Sequence, residues 1–86
     1  MARHTFPTDL LETQTAWYTT YRDLAGAAAP SGAAVLRRRL LGLSARIAAH
    51  PYWDTPAGTP AARVALKETA RALADHRPGP AERQAG

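Results

Sequence analysis

The chain has no cysteine and no long apolar run. Without cysteine, neither a disulfide nor a thiolate zinc site can reinforce the fold. No segment approaches the roughly 20 apolar residues that a helix needs to span a bilayer. The first residues, MARHTFPTDLLE, also lack the apolar segment of a signal peptide. We therefore expect a cytoplasmic protein that does not bind a membrane and that is held together by its hydrophobic core.

Patterns typical of β-strands are missing as well. No window alternates apolar and polar residues with enough β-branched side chains for a strand. Alanine, which favours helix, is abundant. A chain of 86 residues forms one domain at most, and its core is thin. The sequence therefore predicts a small all-α fold.

Three amphipathic segments divided by prolines predict three helices, at about 8–28, 32–50 and 60–76. The short connections favour an antiparallel three-helix bundle over 8–77, with an N-terminal arm at 1–7. Residues 78–86 have nothing to bury, and we expect them to form a flexible, disordered tail.

Residues that suit helix N-termini stand at the predicted starts. Thr8 or Asp9 can cap the first helix, and Ser31 can cap the second. Thr59 followed by Pro60 is a strong start signal for the third, because proline suits the first helical position.

Each predicted helix carries an apolar stripe that we expect to face the core. The stripes comprise Leu10, Trp17, Tyr21, Leu24 and Ala28, then Leu36, Leu40, Leu43 and Ile47, then Ala62, Leu66, Thr69 and Leu73. The second stripe is the most regular, and a second row of Leu41, Ser44 and Ala48 lies beside it. The second helix is therefore predicted to be the central wall and to contact two neighbours.

One polar residue, Gln14, falls inside the first stripe. Its amide either bonds Tyr18, Tyr21 or a backbone carbonyl, or it marks a place where the stripe faces a partner.

The second predicted helix is basic. It holds four arginines and no acid, in a chain of formal net charge +4. Arg38, Arg39 and Arg46 lie away from the leucine stripe, around small residues, and we call these three the arginine face. Guanidinium groups bind carboxylates and phosphates in a bidentate manner. The arginine face therefore predicts a surface for a protein or for nucleic acid, although a simply solvated face is equally compatible with the pattern.

Charge is also segregated along the chain. Acids predominate in the first predicted helix, and Arg37 of the second is expected to pair with Asp9 or Asp23. If the acidic and basic faces meet, they neutralise each other inside the domain. If they point apart, the molecule is dipolar and can self-associate head to tail.

The run His50–Asp54, which we call the aromatic turn, is the most distinctive local sequence. A metal site needs three or four ligands, and His4 and His76 are too far along the chain to supply them. A positively charged imidazole at a helix C-terminus is favourable. We therefore expect Tyr52 and Trp53 to fold back as a hydrophobic lid, with contact between an exposed Trp53 and a partner as the alternative.

Three phrases carry a resemblance to a known group of proteins: LRRRLL at 36–41, HPYW at 50–53 and PAARVAL at 60–66. In these phrases the chain resembles small uncharacterised helical proteins common in actinobacteria. The resemblance covers about residues 6–73. It implies a folded cytoplasmic domain and transfers no functional residue.

No constellation of nucleophile, base or paired carboxylates is evident, so we expect no enzyme, no catalytic residue, no metal and no cofactor. The sequence favours a non-enzymatic interaction module, and a regulatory role is one that such a module can have. Its partner would be a protein bound through Arg38, Arg39 and Arg46 or through Tyr52 and Trp53. The alternative is a nucleic-acid-associated protein whose arginine face contacts phosphates.

Overall fold

The computed structural model describes residues 4–26 and 30–76. It contains the α-helices α1 (Thr8–Ala25), α2 (Pro30–Ala48) and α3 (Pro60–His76), with a short 3₁₀ helix (Pro51–Asp54) in the aromatic turn. These described residues contain no strand. The predicted all-α, three-helix fold is thus confirmed, whereas the predicted tail, 78–86, lies outside the described residues.

The ends of α1 and α2 differ from those that the sequence predicts. α1 ends at Ala25, not at Ala28, and the N–H of Gly26 closes its last turn on the carbonyl of Arg22 at 3.2 Å. α2 begins at Pro30, because the missing N–H of proline costs nothing in a first turn. α2 also ends at Ala48, two residues before the predicted position.

The N-termini of α1 and α3 are built differently. Thr59 caps α3 as predicted, since its hydroxyl accepts a hydrogen bond of 3.1 Å from the N–H of Ala62. α1 has no side-chain cap, because Pro7 occupies the capping position and Thr8 and Asp9 already belong to the helix. The predicted capping role of Thr8 or Asp9 is therefore wrong.

α1, not α2, is the helix that packs against both others. In the described part of the chain, the α1–α2 and α1–α3 interfaces are the extensive ones. On one side, the indole N–H of Trp17 bonds the hydroxyl of Ser44 at 2.9 Å, and Arg39 bonds Thr20 at 3.2 Å. Trp17 contacts Ser44, and the later residue Thr20 contacts the earlier residue Arg39, so the two helices run antiparallel.

On its other side, α1 meets α3. The last turns of the two helices are joined where Arg22 binds the carboxylate of Asp75 and the carbonyl of Ala74. Asp75 of α3 is thus paired with a residue of α1 and not with a neighbour on its own helix. This contact places the C-terminal ends of α1 and α3 together.

The core is narrow and rich in small residues. Its buried apolar members are Leu10, Leu43, Ala62, Leu66, Ala70 and Ala74. α3 contributes every fourth residue from Ala62 to Ala74, and residues at this spacing form one row along a helix. Because most of that row is alanine, α3 can approach α1 closely. The predicted row through Thr69 and Leu73 is wrong, since both side chains are exposed.

Threonines complete the buried surface of α1. Thr15 and Thr20 are buried, and each hydroxyl donates a 2.7 Å hydrogen bond to the carbonyl four residues earlier, in Leu11 and Ala16. This bond satisfies the Thr15 hydroxyl without a partner on another helix, whereas Thr20 also accepts the bond from Arg39 of α2. α1 can therefore bury polar positions on the faces that contact α2 and α3.

The second apolar row predicted on α2 does not contact α3 as expected. Leu41 is 73% exposed, and Ser44 bonds Trp17 of α1. α2 thus packs through one side only, the side of Leu43.

Replacing Leu66 by alanine should lower the free energy of unfolding by about 2–4 kcal/mol, because it opens a cavity in a fully buried row. The matched variant Leu73→Ala, on the same helix, should cost less than about 1 kcal/mol because that side chain is half exposed. Urea denaturation followed by circular dichroism measures both. Equal losses would contradict the observed orientation of α3.

Gly58 lies directly against the aromatic turn. A Cβ atom at this position would come within 2.5 Å of the Cα of Trp53 and of the carbonyl oxygen of Tyr52. Backbone atoms cannot move aside as side chains do, so only glycine fits here without a shift of the loop.

Gly58→Ala should therefore destabilise the protein by about 1–3 kcal/mol, as overpacking typically does. Gly42→Ala is the matched control, since a Cβ there meets nothing within 4 Å. Within a helix this change should stabilise the protein by up to about 1 kcal/mol. Thermal unfolding should therefore show a lower melting temperature for Gly58→Ala and a higher one for Gly42→Ala. An unchanged melting temperature of Gly58→Ala would show that the loop adapts.

Candidate functional site

A groove runs along α1 between α2 and α3, because these two helices pack on different sides of α1. We call it the central groove; its cavity has a volume of about 740 Å³. Its lining residues are Gln14, Trp17, Tyr18, Tyr21 and Arg22 of α1, Ser44, Ile47 and Ala48 of α2, and Arg63, Lys67, Arg71 and Asp75 of α3.

The floor of the central groove is aromatic. Gln14, Trp17, Tyr18 and Tyr21 follow the i, i+3, i+4, i+7 spacing that places residues on one helix face. The rings of Trp17 and Tyr21 are stacked, with centroids 5.4 Å apart and an interplanar angle of 8°. Tyr18 meets Trp17 edge to face, with centroids 5.2 Å apart. This face of α1 was predicted to be core, but Tyr21 is 54% exposed.

The two walls differ in chemistry. α3 supplies a row of three cations, Arg63, Lys67 and Arg71, each four residues after the last. α2 supplies Ile47 with the small residues Ser44 and Ala48. The acid in the lining, Asp75, is already paired with Arg22. The groove is therefore aromatic below, positive along one wall and weakly polar along the other.

Gln14 is the polar residue in this floor. Its side chain is nearly buried, with a relative exposure of 5%. Among the described residues no hydrogen bond engages its amide, although every fully buried polar atom of that part of the chain has a partner. The predicted bonds to Tyr18, Tyr21 or a carbonyl are absent there. The remaining interpretation, that Gln14 marks a partner-facing part of the stripe, agrees with its place in the groove.

The aromatic turn closes one end of the domain. The indole N–H of Trp53 donates a 2.6 Å hydrogen bond to the carbonyl of Ile47, near the end of α2. The ring of Tyr52 packs edge to face on Phe6, with centroids 5.7 Å apart. Both side chains of the turn are half-buried, so the turn folds back as a lid, as the sequence predicts.

Trp53 also orients a residue of the groove. The guanidinium carbon of Arg63 lies 4.6 Å from the centroid of the Trp53 ring, within the range of a cation–π contact. The lid therefore holds the first cation of the α3 row in position while Trp53 itself stays outside the groove.

His50 joins α1 to the aromatic turn through both ring nitrogens. Nδ1 accepts a hydrogen bond of 3.1 Å from the N–H of Tyr52, and Nε2 lies 3.0 Å from a carboxylate oxygen of Asp9. An Nδ1 that accepts a bond carries no proton, so Nε2–H is the donor to Asp9. His50 thus lies beyond the end of α2, at the N-cap of the 3₁₀ helix, and the acid that it contacts is Asp9.

The five predicted site residues do not form one surface. Arg39 turns towards α1 and bonds Thr20, and Arg46 lines a separate cavity of about 450 Å³ beside Asp9. Arg38 is exposed, away from both. None of the arginine face, nor Tyr52 or Trp53, is among the residues that line the central groove.

Arg37 is not paired as the sequence suggests. It is exposed, and no ion pair involves it within the described residues, while Asp9 is engaged by His50. The cations that do converge lie on α3. Their four-residue spacing was visible in the sequence, but nothing in it showed that α3 would place them beside the aromatic face of α1.

The structure also bears on metal binding and on membrane insertion. Within the described residues, no group of three or more histidine, cysteine or acidic side chains is placed to hold a metal ion. None of the helices in that part of the chain is long and apolar enough to cross a membrane.

The hydrogen bond that His50 donates lowers the pKa of Asp9 below its ordinary value. A lowered pKa in the folded state means that the unfolded chain binds the proton more readily. The Asp9–His50 pair therefore stabilises the folded protein fully above the ordinary aspartate pKa of about 3.9. This stabilisation is lost as the pH falls through the lower pKa that Asp9 has in the folded state.

Asp9→Asn keeps an oxygen acceptor for His50 but cannot titrate. As the pH falls through the pKa of Asp9, the free energy of unfolding should therefore decrease less in the variant than in the wild type. Urea denaturation at a series of pH values below 5 (roughly, where aspartate titrates) measures the difference. Superimposable acid profiles of the two proteins would show that the Asp9–His50 pair does not contribute.

Comparison with known proteins places the chain in a family. No curated protein and no solved structure matches it. The profile of DUF8825, described as a domain of unknown function, matches residues 9–69, from the first turn of α1 into the second half of α3. Because this match spans well over half of the 86 residues, the chain belongs to the DUF8825 family.

Proposed function

We propose that the protein is a non-enzymatic interaction module whose central groove binds an acidic amphipathic helix of a partner protein. The observation that carries the proposal is the aromatic face of α1. In the described part of the chain, α2 and α3 flank that face and leave it partly open, since Trp17 and Tyr18 are half-buried and Tyr21 is 54% exposed. An open groove between two helices is the usual receptor for a third helix in helix-in-groove recognition.

The dimensions of the groove suit about two turns of a helix. Arg63 and Arg71 are eight residues apart, which corresponds to about 12 Å along α3. Two helical turns of a partner present apolar residues at i, i+3 or i+4, and i+7 over a similar distance. Its apolar residues would then contact Trp17, Tyr18 and Tyr21, and the smaller wall of α2 would leave room for its backbone.

Charge selects the kind of partner. The α3 wall presents Arg63, Lys67 and Arg71, while Asp75 is neutralised by Arg22. Complementary charge speeds encounter and disfavours wrong partners more than it adds affinity. A helix with acids along one edge therefore fits the groove, and a basic helix does not.

The nucleic-acid alternative has weaker support. Base stacking needs accessible ring faces, but Trp17 and Tyr21 stack on each other, and the indole N–H is used by Ser44. The proposed phosphate contacts are also dispersed, because Arg39 and Arg46 lie against α1 while Arg38 stands apart.

The proposal is compatible with the expected absence of a cofactor, with the expected cellular location and with the resemblance. A helix-binding module of this kind needs no cofactor and fits a cytoplasmic protein. It also agrees with the resemblance to small helical proteins of actinobacteria. The distribution of charge also allows self-association, in which the acidic surface of one copy contacts the basic surface of another. α1 exposes Glu12 and Asp23, while α2 has no acid.

A designed peptide tests the proposal. It has about 18 residues, long enough to form a helix when most of them are alanine, with leucines at i, i+4 and i+7 and glutamates along one edge. We expect binding that quenches or shifts the tryptophan fluorescence and that weakens as salt is added. Lys67→Glu and Arg71→Glu should each weaken it about fivefold, the scale of one exposed ion pair.

Arg38→Glu is the matched control, because it makes the same charge change on an exposed part of α2 away from the groove. It should leave the affinity nearly unchanged. Equal affinity for a lysine-rich peptide of the same pattern would contradict the proposal. Tighter binding of a single-stranded oligonucleotide would favour the nucleic-acid alternative instead.

A further inference from the structure

Gln14 is the one lining residue of the central groove that combines near-complete burial with an unengaged polar group in the described part of the chain. Its relative exposure is 5%, and no hydrogen bond there uses its amide. No fully buried polar side-chain atom in that part of the chain lacks a partner, so the amide is the part of Gln14 that still opens into the groove. A donor and an acceptor are therefore available there to a bound ligand.

We propose that Gln14 determines the specificity of the groove by binding a primary amide, an asparagine or glutamine side chain, at one end of the bound helix. This inference rests on the proposed function. It adds the identity of one anchor residue, which helix docking alone does not specify.

The chemistry of the amide selects its partner. Gln14 offers a carbonyl acceptor and an NH₂ donor in one plane. A second primary amide can satisfy both groups at once through two parallel hydrogen bonds. A carboxylate would satisfy the NH₂ group but face the carbonyl oxygen, and an aliphatic side chain would leave both groups unpaired. A site built to bond a polar group discriminates strongly against an analogue that lacks it.

Position along the groove specifies where that anchor lies. Gln14 precedes Trp17 by one helical turn and Tyr21 by two, so it stands at one end of the aromatic floor. The amide anchor is therefore at an end of the three-anchor pattern, and the other two anchors are apolar. The neighbouring Tyr18 and Trp17 exclude water around the pair and strengthen its hydrogen bonds.

The test uses peptides of the acidic pattern described above. They differ only at the first or the last anchor, which is leucine, asparagine or glutamine, so that both orientations of the helix are covered. For the wild-type protein, we expect asparagine or glutamine at one end to bind about tenfold more tightly than leucine, a difference of about 1.4 kcal/mol.

Gln14→Met supplies the matched variant, because methionine has a similar length and no hydrogen-bonding amide. It should reverse the preference in favour of leucine, while its thermal stability stays equal to or above that of the wild type. The fold is thus monitored independently of binding.

The possible failures are separable. If the wild type binds the peptides but prefers leucine at both ends, or if Gln14→Met keeps the preference for amides, the role of Gln14 is wrong and the helix-binding groove stands. If no peptide binds the wild-type protein, both the proposed function and this inference are wrong.

Discussion

The structure depends on α1 packing against two helices at once. α2 lies on one side, through the bond between Trp17 and Ser44, and α3 lies on the other, through its row of small residues ending at Ala74. A helix that is covered on two separate sides keeps a third side between them. In this protein the third side is aromatic, so the same arrangement that forms the core also forms the central groove.

This arrangement explains residues that look misplaced along α1. Thr15 and Thr20 are buried because the helix needs two packed faces, and hydroxyls bonded to their own backbone meet that need without apolar side chains. Tyr21 belongs to an apolar stripe but remains half exposed, because the stripe lies over the groove. Burial along α1 therefore follows the positions of its neighbours more closely than it follows hydrophobicity.

The aromatic turn connects this scaffold to the groove. His50 bonds Asp9 and the backbone of Tyr52, and Trp53 bonds the end of α2 while its ring lies against Arg63. These contacts join α1, α2 and α3 at one end of the domain, where a thin core has little area to hold them. The turn thus holds this end of the scaffold together and keeps Arg63 in position beside the groove.

The sequence alone is sufficient to predict the helical class, the number of helices, the cap at Thr59 and the folded-back lid, because these follow from proline positions, local hydrogen bonding and the period of the apolar residues. It also singled out Gln14 as a residue that does not fit its stripe. It could not determine which helix is central, since the leucine row of α2 and the alanine row of α3 are both plausible core faces. The packing of the three helices makes α1 the central helix. It also places the cations of α3, rather than Arg38, beside the aromatic floor. The physical reason is that helical periodicity specifies a face, whereas contact between faces depends on how closely three helices can approach one another.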